Sequence, residues 1–234
     1  MIKKIALSAA IALGITAQSI ATISISLQAD LLQNNLGSAA PLSTLYMLVA
    51  STTDGDFSFI NGLIDDGQHV INGGTSTAIG SLLSPSGDLT PDDFVLFRGN
   101  LTAAGTPGAL DALVTGLNFA NIPGWDAGDP LALIWFPSLT TSSTTIPNGT
   151  RYGIYTRNTS VPAEGSAAWI TPANGVSNYP LGFFTQNGET FSPGPTAVNS
   201  AAAGRSTLTA VPEPSTLGMA ALGIIGLMSR RRRN

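Results

Sequence analysis

The side chains best suited by type and spacing to do chemistry lie in the stretch "DGDFSFINGLIDDG" (54–67). Asp54, Asp56 and Ser58 stand at alternate positions, and Asp65 falls twelfth counting from Asp54. An EF-hand loop presents oxygen ligands at those offsets, because calcium takes about six to eight hard oxygens. The pattern then departs from that loop. Phe59 stands where the turn glycine belongs, the last ligand is Asp65 in place of Glu, and no helical periodicity flanks it. The stretch therefore reads either as a calcium site of another kind in a strand connection or as a solvated turn. "SGDLTPDD" (86–93) offers Asp88, Asp92 and Asp93 with the same chemistry and weaker spacing. "WDAGD" (125–129) sets Asp126 and Asp129 beside Trp125, which suits a sugar-binding surface and equally a turn with a half-buried ring.

Catalytic constellations are harder to assemble. His69 is the single histidine, and no G-x-S-x-G elbow accompanies it. No lysine lies between Thr22 and Val211, which removes Ser-Lys dyads and Schiff bases from the core. With no cysteine anywhere, thiolate zinc sites, iron–sulfur clusters and cysteine nucleophiles are excluded as well. A glycosidase needs two carboxyl groups facing across a cleft. Glu164 and Glu189 are the only core glutamates available for that pair, and nothing in their surroundings marks them. Asn100, Asn148 and Asn158 each begin an Asn-x-Ser/Thr triplet and read as turn residues. The expectation is that the chain is not an enzyme.

Charge narrows the partners. Between Thr22 and Val211 the cations are Arg98, Arg151, Arg157 and Arg205, against eleven Asp plus Glu164 and Glu189, a net charge of −9. The whole-chain value of −4 conceals this, because six of the ten basic residues sit at the two ends. So acidic a core repels a phosphate backbone, which argues against a nucleic-acid partner.

The elements that must position these residues read as strands. Short apolar or alternating runs occur at 22–28, 44–51, 93–99, 131–137, 151–157, 167–170 and 181–186, separated by Asp-Gly, Asn-Gly and Pro-Ser-Gly turn chemistry. "LALIWFP" (131–137) is apolar throughout and suits a strand covered on both faces. "RYGIYTR" (151–157) alternates, with Tyr152 and Ile154 on one face, as a half-exposed strand does. "ALDALVTGL" (109–117) is expected to form a short helix. The fold class that follows is all-β, an antiparallel sandwich or jelly roll over 22–195. A linker rich in Ala, Ser, Thr and Gly follows at 196–210.

Both ends carry instructions of a different kind. Residues 1–21 place Lys3 and Lys4 before an apolar run and finish on Ser19-Ile20-Ala21. That order is a secretory signal peptide, with cleavage expected after Ala21. At the other end, Val211-Pro212-Glu213-Pro214-Ser215 leads into the apolar run Leu217–Met228 and then Arg230, Arg231, Arg232 and Arg233. Twelve apolar residues fall short of the roughly 20 that a spanning helix needs, so a transient membrane segment is expected rather than a permanent anchor. The arginine cluster fixes its cytoplasmic end, and the two prolines mark an extended outer boundary.

These three parts in order, over about the last two dozen residues, resemble the PEP-CTERM sorting signal of Gram-negative bacteria. The resemblance implies recognition of Pro212, Glu213 and Pro214 by an exosortase, and export to the cell surface or the extracellular polysaccharide. It says nothing of the core. Three readings of the core follow: a non-catalytic surface or matrix protein, a carbohydrate-binding module with calcium as a possible aid, or a secreted glycan hydrolase. A clustered face of Trp125, Trp135 or Trp169 with Tyr would favour the second, and a cleft holding Glu164 and Glu189 within about 5–10 Å of each other the third.

Overall fold

Ile23, Ile25, Leu27 and Ala29 alternate with polar residues, and this period of two makes Ile23–Ala29 a strand, β1, buried on one face only. In the computed structural model, residues 22–53, 57, 71–83, 91–101, 105–156, 169–183 and 204–210 are described. The remaining strands are β2 (Leu45–Ser51), β3 (Leu82–Leu83), β4 (Asp93–Asn100), β5 (Leu110–Leu117), β6 (Leu131–Phe136), β7 (Arg151–Tyr155), β8 (Tyr179–Phe183) and β9 (Leu208–Thr209). No α-helix occurs among the described residues, where a 3-10 turn spans Phe119–Asn121. The protein is mainly β.

The strands form two sheets, one of order β5-β1-β8 and one of order β3-β4-β2-β6-β7-β9. Between these strands pairing is antiparallel except that β1 runs parallel to β8, with Leu27 opposite Leu181; the isolated Gln33–Arg205 bridge is parallel too. The purely antiparallel expectation is corrected at this one pair. β2 and β6 lie at the centre of the larger sheet, and all of their residues are buried, as a strand covered on both faces requires.

One apolar cluster joins the sheets, bringing Ile23, Ile25, Leu27, Val114 and Leu181 against Tyr46, Leu48, Leu133 and Trp135. A second cluster covers the opposite face of the larger sheet, where Met47, Val49, Leu83, Ile134, Phe136 and Tyr152 meet Phe57, Ile71, Ile146 and Ala210 from outside the strands. β7 is thereby covered on both sides: Tyr152 lies in the loop-covered cluster and Tyr155 in the inter-sheet one. The half-exposed reading of 151–157 is corrected accordingly.

A single cross-strand row organises the inter-sheet face. Gly99, Tyr46, Trp135 and Gly153 stand opposite one another across β4, β2, β6 and β7. The two rings lean outward over the two glycines. A Cβ at Gly153 would lie 2.1 Å from Cζ2 of Trp135, and one at Gly99 2.6 Å from the Tyr46 hydroxyl. The Trp135 indole N–H donates to the Gln33 carbonyl at 3.1 Å, fixing the ring in that position. Glycine is required here for space, not for backbone conformation.

The expected helix at 109–117 is strand β5, and its misleading pattern has a specific cause. Leu110, Ala112 and Val114 alternate inward opposite Ala29, Leu27 and Ile25, but the register then shifts so that Leu117 faces Ile23. Gly116, at φ +74°, supplies the left-handed residue at that irregularity. The bulge returns Leu117 to the buried face, so that 110, 114 and 117 acquire a helical spacing within a strand. Similarly, residues 204–210, assigned to a linker by composition, belong to the fold. Arg151 pairs with Thr209 and Tyr152 with Leu208. Of the run at 167–170, the described residues Trp169 and Ile170 form no named strand; Ile170 bridges Pro130 and the Trp169 carbonyl accepts from the Leu131 N–H at 2.8 Å. The signal peptide at 1–21 and the tail at 211–234 lie outside the described residues. Among the described residues, no helix is long and apolar enough to cross a membrane.

Candidate functional site

Several polar side chains among the described residues are absorbed by the domain's own turns. Asp92, at the entry to β4, accepts hydrogen bonds through Oδ2 from the backbone N–H groups of Thr52 (3.1 Å) and Thr53 (2.6 Å) and from the Ser51 hydroxyl (3.3 Å). It holds the chain where it leaves β2. Asp93 beside it is wholly buried. In "WDAGD", Asp129 Oδ2 accepts from the Asp126 N–H at 2.7 Å, closing a turn. Burial raises the Asp129 carboxyl above the usual carboxylate range; the Asp126 N–H opposes that shift, and the charges of Asp126 and Asp92 add to it. The pair is a turn with like charges near it, and among the described residues no group of three acidic, His or Cys side chains is placed to hold a metal ion.

The three tryptophans are core residues. Trp125, Trp135 and Trp169 are exposed by 2 % or less. Trp125 packs edge-on to Phe119 with centroids 4.8 Å apart, and its N–H donates to the Thr171 hydroxyl at 2.9 Å. Trp169 packs edge-on to Tyr155 at 4.9 Å. None presents a ring face to a sugar. Asp54, Asp56, Ser58, Asp65, His69, Asp88, Glu164, Glu189 and Asn158 lie outside the described residues. Phe57 is described, and it is driven into the loop-covered cluster with 1 % of its surface exposed. An apolar anchor thus sits between Asp56 and Ser58.

The arginines do work the sequence does not advertise. Arg98, on β4, donates through Nη1 to the Thr77 hydroxyl (2.7 Å) and carbonyl (3.2 Å) and through Nη2 to the carbonyls of Thr141 and Ser143. One guanidinium therefore ties two loops to one strand, a use its five fixed donors allow. Tyr152 plays a comparable part: its hydroxyl accepts from the Ile71 N–H at 3.1 Å, and burial pushes its own pKa well above the ordinary phenol value despite that bond. Tyr46, buried in the inter-sheet cluster, is pushed up to about 12 by the same desolvation.

The feature with a bearing on function is the place where the chain leaves the domain. Gly204 accepts from the Gln33 N–H at 2.6 Å, and Ser206 N–H donates to the Gln33 carbonyl at 3.1 Å. Arg151 Nη1 donates to the Thr207 carbonyl at 2.9 Å. Ala210 N–H then donates to Thr150 at 2.9 Å, while its own carbonyl accepts from Gly149 at 2.8 Å. Ala210 is 1 % exposed and lies in the loop-covered cluster. The last described residue is as firmly held as the strands.

The sequence from this residue onward matches a known pattern. Residues 210–233 match the family model of the PEP-CTERM protein-sorting motif. The motif begins at Ala210, where the described fold ends, and it contains Pro212, Glu213 and Pro214, the recognition residues expected from the sequence, and Arg230, Arg231, Arg232 and Arg233. A PEP-CTERM motif directs export through the envelope to the surface of a Gram-negative cell and processing by exosortase. Searches among curated proteins and among solved structures give no match to the chain. Residues 204–210 are tied to the fold by β9 and by the Gln33 and Thr150 backbone bonds, and their small-residue composition gives little periodic signal of it.

Proposed function

We propose that the chain is a non-catalytic surface or matrix protein, a β-sandwich displayed outside the cell after its sorting tail has been processed. The observation that carries the reading is the PEP-CTERM match at 210–233, contiguous with a domain whose described aromatic and charged side chains serve packing and turns. The sandwich reading is supported by the inter-sheet cluster, which draws on both sheets. In this account the signal peptide at 1–21 leads export and Leu217–Met228 parks the protein in the inner membrane with Arg230–Arg233 on the cytoplasmic side. Exosortase then acts at the Pro212-Glu213-Pro214 strip.

All three tryptophans lie in the core, so the carbohydrate-binding alternative draws no support from an exposed indole. Association with extracellular polysaccharide is then a matter of where the protein is delivered. Replacing Pro212, Glu213 and Pro214 by alanine tests the reading. Export continues, and the protein accumulates in the inner-membrane fraction with its tail uncut. Normal delivery of that variant to the surface would overturn it.

A further inference from the structure

Three Asn-Gly pairs lie among the described residues: Asn72-Gly73, Asn148-Gly149 and Asn174-Gly175. Such a pair can react with itself. Once the glycine peptide nitrogen loses its proton it can attack the asparagine side-chain carbonyl carbon, and with no Cβ on the glycine nothing crowds the approach. The reaction needs a carboxamide and a peptide nitrogen free of other bonds, and water at the site. The fold treats the three pairs differently.

Asn148-Gly149 is exposed but held: the Gly149 N–H donates to the Ala210 carbonyl at 2.8 Å, and the Asn148 carboxamide packs against Gly73. Asn72 is buried, and its carbonyl accepts from the Thr75 hydroxyl at 2.6 Å. Asn174-Gly175 has neither protection. Both residues are exposed, in the turn before β8 that the Val176 N–H closes on the Ala173 carbonyl at 3.2 Å, with Gly175 at φ +83°. Among the described residues, neither the Asn174 carboxamide nor the Gly175 N–H has a hydrogen-bond partner.

We propose that Asn174 is a site of spontaneous deamidation, a modification the domain carries out on itself with water as the only other reactant. The Gly175 nitrogen bonds to Cγ of Asn174, the Cγ–Nδ2 bond breaks, and Nδ2 leaves as ammonia with the proton the peptide nitrogen gave up. Water then opens the five-membered imide at either carbonyl, its hydroxyl going to the carbon and its proton to the nitrogen. The products are Asp, or an isoaspartate whose main chain runs through the side-chain carbons and is one carbon longer. The turn is placed to feel that change. The Val176 carbonyl accepts from the Ser24 N–H at 3.1 Å, and the Asn178 N–H donates to the Ser24 hydroxyl at 2.8 Å, so the turn secures the start of β1. Deamidation at Asn174 thus records the age of the domain and loosens that attachment.

The full-length chain in detergent is incubated in neutral and in mildly alkaline buffer, then digested under acidic conditions at intervals. Mass spectrometry follows the peptides holding Asn72, Asn148 and Asn174, and an isoaspartyl methyltransferase scores isoaspartate. In the folded chain Asn174 is expected to convert at least about tenfold faster than either other site, the factor set by opening one hydrogen bond of ordinary strength. That lead should vanish in concentrated denaturant, where the three pairs share the same chemistry, and the rate at Asn174 should rise with pH. With incubation, the melting temperature should fall further in the parent chain than in the Asn174→Gln variant. Equal conversion of the three sites in the folded chain, or a lead that persists in denaturant, overturns the site. Conversion at Asn174 that is slow in the folded chain and fast in denaturant overturns it too, since the fold would then protect it. An equal fall in melting temperature in parent and variant overturns the loosening of β1.

Discussion

The β domain and the sorting tail divide the chain between structure and address. Among the described residues of the domain, side chains of the kinds that do chemistry are drawn into the fold: Asp92 caps the end of β2, Asp129 closes a turn, Arg98 ties loops, and the tryptophans fill the core. The tail instead matches the PEP-CTERM sorting motif over 210–233, and in the proposed function Pro212, Glu213, Pro214 and Arg230–Arg233 act as a sequence read by other machinery. The contrast teaches where mutations act. A change in the domain should cost stability and spare sorting, and a change in the tail should do the reverse.

The sharpest way to break that comparison is the tail itself. Alanines at Pro212, Glu213 and Pro214 should reduce surface delivery to background in cell fractionation while leaving the thermal unfolding of the domain unchanged. A fall in melting temperature would show that the tail is part of the fold.

Gly153→Ala carries the largest expected effect within the domain. Its Cβ would meet the Trp135 ring at 2.1 Å, and that ring is pinned by its bond to Gln33, so the row must shift. A loss of about 3 kcal/mol is expected in denaturant unfolding, at the upper end for an overpacked core. Gly99→Ala faces the end of the Tyr46 side chain instead and should cost less. Arg98→Ala releases both loops from β4 and should cost about 2 kcal/mol, the scale of hydrogen bonds from a charged donor that is partly buried. Tyr152→Phe removes the acceptor for the Ile71 N–H while keeping the ring, and should cost about 1 kcal/mol.

Two titrations sharpen the picture further. The folded pKa of Tyr46, about 12, lies above its unfolded value, so its contribution is fully present below pH 10 and is lost as pH rises toward 12. Phenolate absorbance should therefore rise together with alkaline unfolding and not before it. The smallest effect belongs to Asp129. Its folded pKa is raised, so the stability tied to its protonated form is present at low pH and lost as pH rises through that pKa. Asp129→Asn keeps an acceptor for the Asp126 N–H and should raise the melting temperature slightly at neutral pH, with no gain in acid.

Much of the fold was legible where a single period governed a run. The alternation in β1 and the unbroken apolar character of β6 identified both strands to within a residue at each end. β5 was misread because a bulge at Gly116 converts strand spacing into helical spacing, although an isolated glycine inside an apolar pattern is itself a bulge signal. β9 was missed because two paired residues in an Ala-, Ser- and Thr-rich setting carry almost no periodicity; long-range pairing with Arg151 and Tyr152 makes them a strand. The role of Arg98 was not legible either, since the carbonyls it binds belong to loops about 20 and 45 residues away. The sorting motif was fully legible, because it functions as sequence.

The most direct test of the central claim is the intact mass of the protein recovered from the cell surface and the medium. The account predicts a mature chain that begins at Thr22 and has lost Arg230–Arg233, cut near Pro214. Mature protein in those fractions with its C-terminal arginines still attached would contradict it, and the tail would then be a short membrane anchor.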